Sequence, residues 1–245
     1  MMDRQGLQEC GFALDEMDAI DWLRLLPCAS VDLVVTDPAY ESIEKHRAQG
    51  TTTRLTKEWF PCFPDARLPQ LAEELYRVLA RGRHAYLFCD DDTSDKLKPL
   101  LLAAGFWRVK RLVWDKRKMG MGYRYRARYE FILFAEKRPR RGLAGTMPDV
   151  LVEWPRLKGV SYYPTEKPVG LCASLIRQSS DPGDLVIDPF FGSGAIGEAA
   201  LREGRLFWGC DLSSKALGPA HCRLLKALVP CVRAEVLPED SHGEG

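Results

Sequence analysis

The stretch that most constrains this chain is Leu185-Val186-Ile187-Asp188-Pro189-Phe190-Phe191-Gly192-Ser193-Gly194-Ala195-Ile196-Gly197. It predicts a buried strand, a glycine turn and then a helix. Glycines let the backbone approach a ligand closely, and the first turn of the helix offers free N–H groups. A further strand over Leu206–Asp211 ends in a carboxylate that can accept from ribose hydroxyls. Gly192, Gly194 and Gly197 satisfy G-x-G-x-x-G, so a nicotinamide dinucleotide is a live alternative. Two features oppose it. Asp188 would sit awkwardly beside a pyrophosphate but suits a cationic amino acid or a sulfonium. The chain after the motif is also too short for a full dinucleotide fold.

A second strand candidate, Val31-Asp32-Leu33-Val34-Val35-Thr36, ends at Asp37-Pro38-Ala39-Tyr40. The proline stops the ladder and presents a carboxylate, a carbonyl and an aromatic ring at the strand's C-terminal end, where open α/β sheets bind ligands. Those three groups together suit a planar group carrying an amine, such as a nucleobase. Taken alone, the same residues also describe a turn capped by Asp37 with Tyr40 packed in the core.

Around these units strands and helices alternate. Helices are expected over 18–26, 68–81 (stopped by Gly82), 93–104 (closed by Gly105), 167–178 and 219–228. Strands are expected over 84–89, 107–114 and 129–135. This alternation predicts an α/β fold with a doubly wound, mostly parallel sheet. Residues 1–234 form one domain in this reading. Within it, 41–60 is an aperiodic loop beside the tetrapeptide, and 138–163 is a small proline- and glycine-punctuated insertion outside the sheet, with a short strand candidate at 150–154. Residues 235–245 form a polar tail expected to be disordered.

Several function classes fall away. No apolar run approaches the ~20 residues that cross a bilayer. The polar N-terminal segment lacks the apolar core of a signal peptide, so a cytoplasmic protein is expected. Eight cysteines contain no C-x-x-C pair, and four histidines make no metal-ligand spacing. Reduced thiols and no metal are therefore expected. The net charge of +1 hides a basic segment from Trp107 to Arg141, opposed within itself only by Asp115, Glu130 and Glu136. Lys116, Arg117, Lys118, Arg124 and Arg126 cluster there with Tyr123, around Gly120 and Gly122. Bases interleaved with aromatics suit a polyphosphate chain with exposed bases.

The two Asp-Pro motifs in this order resemble the amino-methylating DNA methyltransferases of the β arrangement, in which the catalytic block precedes the cofactor block. Thr165-Glu166-Lys167-Pro168 resembles the family's Thr-Glu-Lys-Pro element, which helps hold the methionine end of the cofactor. Met17-Asp18-Ala19 resembles its Gly-Asp-Ala element, whose acid faces the cofactor's adenine. The matches run from about residue 15 to about residue 225. The resemblance implies a class I, Rossmann-like methyltransferase fold and S-adenosyl-L-methionine as cofactor. The implied cofactor residues are Asp18, Ala19, Thr165, Lys167, Asp188, Pro189, Phe190, Gly192, Ser193, Gly194, Asp211 and Leu212.

Asp37 and the Pro38 carbonyl would accept the hydrogens of an exocyclic amine, and Tyr40 would stack on a base extruded from the duplex. Transfer would then be direct, without a covalent enzyme intermediate. Asp as the first residue of the tetrapeptide goes with N6 of adenine, and Ser with N4 of cytosine, so adenine is the expected target. The implied partner is double-stranded DNA, contacted by the basic segment. A homodimer and a cognate restriction enzyme, in a bacterial or phage setting, are compatible with the resemblance. Ala39 and Met17 depart from the family's usual proline and glycine. Alternatives are an N4-cytosine, RNA or protein amine methyltransferase, a nicotinamide oxidoreductase, and a catalytically silent DNA-binding module.

Overall fold

The computed structural model describes residues 4–41, 62–120, 124–153 and 166–228. Most of the 41–60 loop, Tyr123, Thr165, the end of the 138–163 insertion and the 235–245 tail lie outside them. In chain order the elements are α1 (Arg4–Cys10), β1 (Phe12–Glu16), α2 (Ala19–Leu25), β2 (Val31–Thr36), α3 (Leu68–Val78), β3 (Leu79–Cys89), α4 (Asp91–Ala104), β4 (Arg108–Asp115), β5 (Tyr129–Glu136), β6 (Val150–Val152), α5 (Val169–Ser179), β7 (Leu185–Asp188), α6 (Ala195–Arg202), β8 (Leu206–Asp211) and α7 (Ser214–Leu228).

The strands form one sheet in the order β1-β8-β7-β2-β3-β5-β4-β6. Every neighbouring pair is parallel except those made by β5, which runs antiparallel to β3 and β4. This is the mostly parallel doubly wound sheet that the alternation predicts. All six residues of β2 are buried, because a parallel sheet is covered on both faces and its central strands read as continuous apolar runs.

Successive side chains on each strand go to opposite faces. Val34, Leu87, Ile187 and Cys210 pack under α1–α4, while Leu33, Phe88, Val186 and Phe207 pack against α5–α7. Arg83 on β3 joins the sheet's lower end. It pairs with Asp32 on β2 at 2.8 Å and with Asp184, just before β7, at 2.7 Å.

Two expectations are corrected. The helix expected over 68–81 ends at Val78, and Leu79–Arg81 belong to β3. Leu79 pairs with Val31 across a bulge that is absorbed near Gly82, so strand pairing overrides the helical spacing. Arg77, in the last turn of α3, donates instead to Leu23 O and Leu26 O at the end of α2. The insertion expected outside the sheet contributes β6, which pairs with β4 through Val113↔Val150 to Asp115↔Val152. An edge position needs only one pairing partner, and three residues satisfy it.

The glycine unit is held by packing as much as by turn chemistry. Gly194 caps α6 with φ +75°, a conformation that costs L-residues roughly 1–2 kcal/mol. A Cβ on Gly197 would lie 2.7 Å from the Phe207 ring. Gly197→Leu should therefore lower unfolding stability by about 1–3 kcal/mol, the usual cost of overpacking. Urea denaturation checks this, and a stability equal to wild type would refute the packing role.

Candidate active site

The strand order reverses at β2 and β7. From there the sheet extends through β3, β5, β4 and β6 on one side and through β8 and β1 on the other. Ligands of open α/β sheets bind at such a switch point, beyond the C-terminal ends of the strands. Here four adjacent parallel strands end at carboxylates: Asp18 just after β1, Asp211 on β8, Asp188 on β7 and Asp37 just after β2. They line one cleft of about 280 Å³. Thr36 Oγ1 donates to Asp188 Oδ1 at 2.7 Å and so joins the two Asp-Pro motifs across the sheet.

Each carboxylate is held differently. Asp188 is 1 % exposed, accepts from Thr36 Oγ1 and from Phe190 N at 3.0 Å, and burial pushes it up to about 8. Asp211 spans the glycine turn, accepting from Gly192 N at 2.9 Å and Ser213 N at 2.8 Å. Its remaining lone pairs can take hydroxyl donors. Asp18 caps α2 by accepting from Ile20 N at 3.0 Å, and Arg67 grips both of its oxygens at 2.7 Å. That bidentate bond holds its carboxyl below the usual range. Asp18 therefore faces the cleft with both oxygens already engaged.

Asp37 pairs with the buried ammonium of Lys167, which also lies 3.4 Å from Glu130 on β5. Burial raises Asp37 to about 6 against the pull of Lys167. Lys167 stays charged because its two carboxylates outweigh its own burial.

Most of the expected site assembles. Asp18, Ala19, Asp37, Lys167, Asp188, Pro189, Phe190, Gly192, Ser193, Asp211 and Leu212 all line the cleft. Three expected residues do not. Gly194 faces α7, where a Cβ would stand 3.1 Å from that of Ala220. The Pro38 ring and the Tyr40 side chain are buried away from the cleft, while Asp37 and Ala39 line it. Tyr40 is 3 % exposed in the core, bridged to Phe63.

Sequence reasoning missed Phe63, Arg67 and Glu130. Phe63 donates its N–H to Ala39 O at 2.6 Å and meets the Phe190 ring edge-on at 5.2 Å. The Arg67 guanidinium lies over Phe63, 5.3 Å from the ring centroid. Nothing in the spacing of Cys62-Phe63-Pro64 signals this. Glu166 holds Arg223 on α7 at 2.7 Å, and Arg223 in turn pairs with Glu198 and donates to Ser193 O at 3.2 Å. The glutamate of Thr165–Pro168 thus braces the glycine turn.

The basic segment is less free than its composition suggests. Arg111 pairs with Asp95, Lys110 with Asp149, Arg141 with Asp181 and Arg128 with Asp115. Lys116, expected to face a polyanion, is bound to Glu130. Arg117, Lys118, Arg124 and Arg126 are exposed on the β4–β5 hairpin, where Arg126 Nε donates to Gly120 O at 2.7 Å. Tyr125 at its tip is fully exposed. Among the described residues there is no cluster of His, Cys, Asp and Glu that could hold a metal ion, and no helix long and apolar enough to cross a membrane.

A DNA methylase family profile matches residues 31–154 and 148–218. The chain is 28% identical over 204 residues to the type II methyltransferase M.HhaII of Haemophilus parahaemolyticus, covering 81% of this chain and 90% of that protein. Its fold is similar to that of M1.HpyAVI solved with S-adenosylmethionine, with TM-score 0.64 and 21% identity over 87% of this chain and 100% of the other. The PvuII cytosine-N4-specific DNA methyltransferase superposes with TM-score 0.69 and 15% identity, over 86% of each chain.

The buried carboxylates make the ligand-free protein sensitive to pH. Asp188 is an acid whose folded value lies above its ordinary 3.8, so the stability it contributes is present below about pH 4 and lost as pH rises through about 8. In urea unfolding across that window, wild type should lose stability relative to Asp188→Asn. Parallel curves would show that Asp188 ionises normally.

Proposed function

Because this chain belongs to the DNA methylase family, we propose that it transfers a methyl group to N6 of adenine in double-stranded DNA. The nicotinamide alternative loses its support, since the glycine unit falls inside the family match. The observation that carries the proposal is the placement of Asp37 beside Asp188 at the switch point, in one cleft with Lys167 and the glycine turn. One side of the cleft suits a cationic cofactor and the other an amine.

The family's methyl donor is S-adenosylmethionine, and the donor set of the cleft fits it. Asp211 is placed for hydroxyl donors, Phe63 and Phe190 offer apolar aromatic surface, and the buried Asp188 favours a cation beside it. When bound, the cofactor supplies an electrophilic methyl group on a sulfonium. The chain's own residues prepare the nucleophile. An exocyclic amine is weakly nucleophilic because its lone pair is delocalised into the ring. Asp37, accepting one amine hydrogen, draws the nitrogen toward tetrahedral geometry and takes the proton that nitrogen loses on methylation. Fixing two groups in attack geometry is worth about 7–11 kcal/mol of the barrier. The Pro38 carbonyl is assigned the second hydrogen.

Stacking by Tyr40 would require its ring to leave the core and turn toward the cleft. Phe63 and Phe190 are aromatic surfaces already facing the cleft. Arg117, Lys118, Arg124 and Arg126 are assigned phosphate contacts, and the 138–163 insertion together with the 41–60 loop the remaining share of target recognition.

Adenine is preferred because the tetrapeptide begins with Asp. Cytosine N4 is the second reading, since the family covers both amines and a cytosine-N4 enzyme shares the fold. Labelled S-adenosylmethionine with duplex DNA, followed by nucleoside analysis, should give N6-methyladenine. N4-methylcytosine would shift the target, and methylation of RNA alone would overturn the substrate class. Asp37→Ala should lower turnover by about a hundredfold to a thousandfold, with cofactor binding by calorimetry largely kept. Turnover at the wild-type rate would refute the role of Asp37.

A further inference from the structure

Lys167 does more than close one side of the cleft. Its ammonium is the second member of a line of alternating charges: Asp37 after β2, Lys167 before α5, Glu130 on β5 and Lys116 after β4. The line crosses the top of the sheet from its centre to the root of the basic hairpin, where Lys116 N donates to Arg128 O at 2.9 Å. Both cations also lie over rings. Lys167 Nζ is 5.3 Å from the Phe88 centroid, and Lys116 Nζ is 5.1 Å from that of Trp114. Only Asp37 and Lys167 line the cleft.

This arrangement bears on a chemical difficulty. An ammonium held by a single carboxylate forms a tight pair, and a carboxylate so neutralised is a poor acceptor for a weakly acidic N–H. Sharing the ammonium with a second carboxylate loosens its hold on the first. A cation beyond the second carboxylate keeps the whole line neutral, so that neither half-buried carboxylate stands as an unpaired charge.

We propose that Glu130 and Lys116 are positioning residues that act through Lys167, with Glu130 drawing the ammonium away from Asp37 and Lys116 restraining that draw. Asp37 thereby keeps an oxygen able to accept the substrate amine. This rests on the methyltransferase reading above and adds to it the groups that set the strength of the acceptor. The other titratable groups around Asp37 are Asp188 on β7, Tyr40 beside it, Cys89 on β3 and Cys172 on α5. Burial pushes both thiols up, so they stay neutral and leave Glu130 and Lys116 as the charges that tune Lys167.

The test is a pair of variants with opposite signs. In Glu130→Gln the repulsion on Asp37 is lost and Lys167 settles on Asp37 alone. The acid limb of kcat/KM should move to lower pH by up to about one unit, and kcat on the alkaline plateau should fall about tenfold. In Lys116→Met the acid limb should move to higher pH. KM for S-adenosylmethionine should stay within about twofold in both variants, since neither residue lines the cleft.

Limbs that move together, or not at all, would overturn the proposal, as would a loss confined to cofactor binding. The same opposite shifts should appear in the NMR titration of the Asp37 carboxyl carbon in the folded protein. That measurement needs no turnover, so a wild-type protein that fails to methylate DNA overturns the reaction and still leaves the charge line testable. Unfolding curves on both variants separate these effects from lost structure.

Discussion

The hydrogen bond from Thr36 Oγ1 to Asp188 Oδ1 is the point on which the rest of the molecule turns. It joins two strand ends that lie 152 residues apart in the chain, at the place where the sheet changes direction. A parallel sheet buried on both faces leaves only its strand ends for polar chemistry. In this protein four adjacent ends carry carboxylates that open into one cleft. So many acids in one place are tolerated because each has its own partner: a hydroxyl and an amide for Asp188, two amides for Asp211, a guanidinium for Asp18 and an ammonium for Asp37.

Those partners also divide the labour. Asp211 and Asp18 are held by turns and caps at strand–helix junctions, so their geometry is inherited from the backbone. Asp188 is fully buried and Asp37 half-buried beside it, and both are pushed upward, to about 8 and about 6. Their ionisation therefore responds to what enters the cleft. A site that takes a cationic cofactor on one side and an amine on the other needs this kind of responsive carboxylate, and perturbed acids in a cleft are a usual mark of such sites. Glu166, Arg223 and Glu198 brace the glycine turn from behind, so that the loop facing the cleft is fixed from α7 as well as from α6.

Much of this was legible in the chain. The runs Val31–Thr36, Leu185–Ile187 and Leu206–Cys210 are apolar, end at aspartates and lie beside turn or helix signals, so their elements and the ligand end of the sheet follow from local pattern. Short segments with two competing preferences were not legible. Leu79–Arg81 continues a helical spacing but pairs with Val31, and Val150–Val152 joins β4 at the edge of the sheet. The two readings of Tyr40, stacking ring or core residue, were not separable in the chain, and in the structure its ring is buried while Asp37 and Ala39 line the cleft. Lys116 looked like a free base because its acid, Glu130, arrives from the neighbouring strand.

By itself, then, the amino-acid order determined the type of sheet, the ligand class and the strand ends at which the carboxylates of the cleft stand. These depend on backbone preference and burial over a few residues at a time. Only the tertiary structure decided which charges remain available. Lys167 meets Asp37 across 130 residues, Arg67 meets Asp18 across 49, and Asp95, Asp149 and Asp181 pair with Arg111, Lys110 and Arg141 of the basic segment. Ion pairs form between whichever groups the strand order brings within a few ångströms, and that order follows from packing the whole sheet.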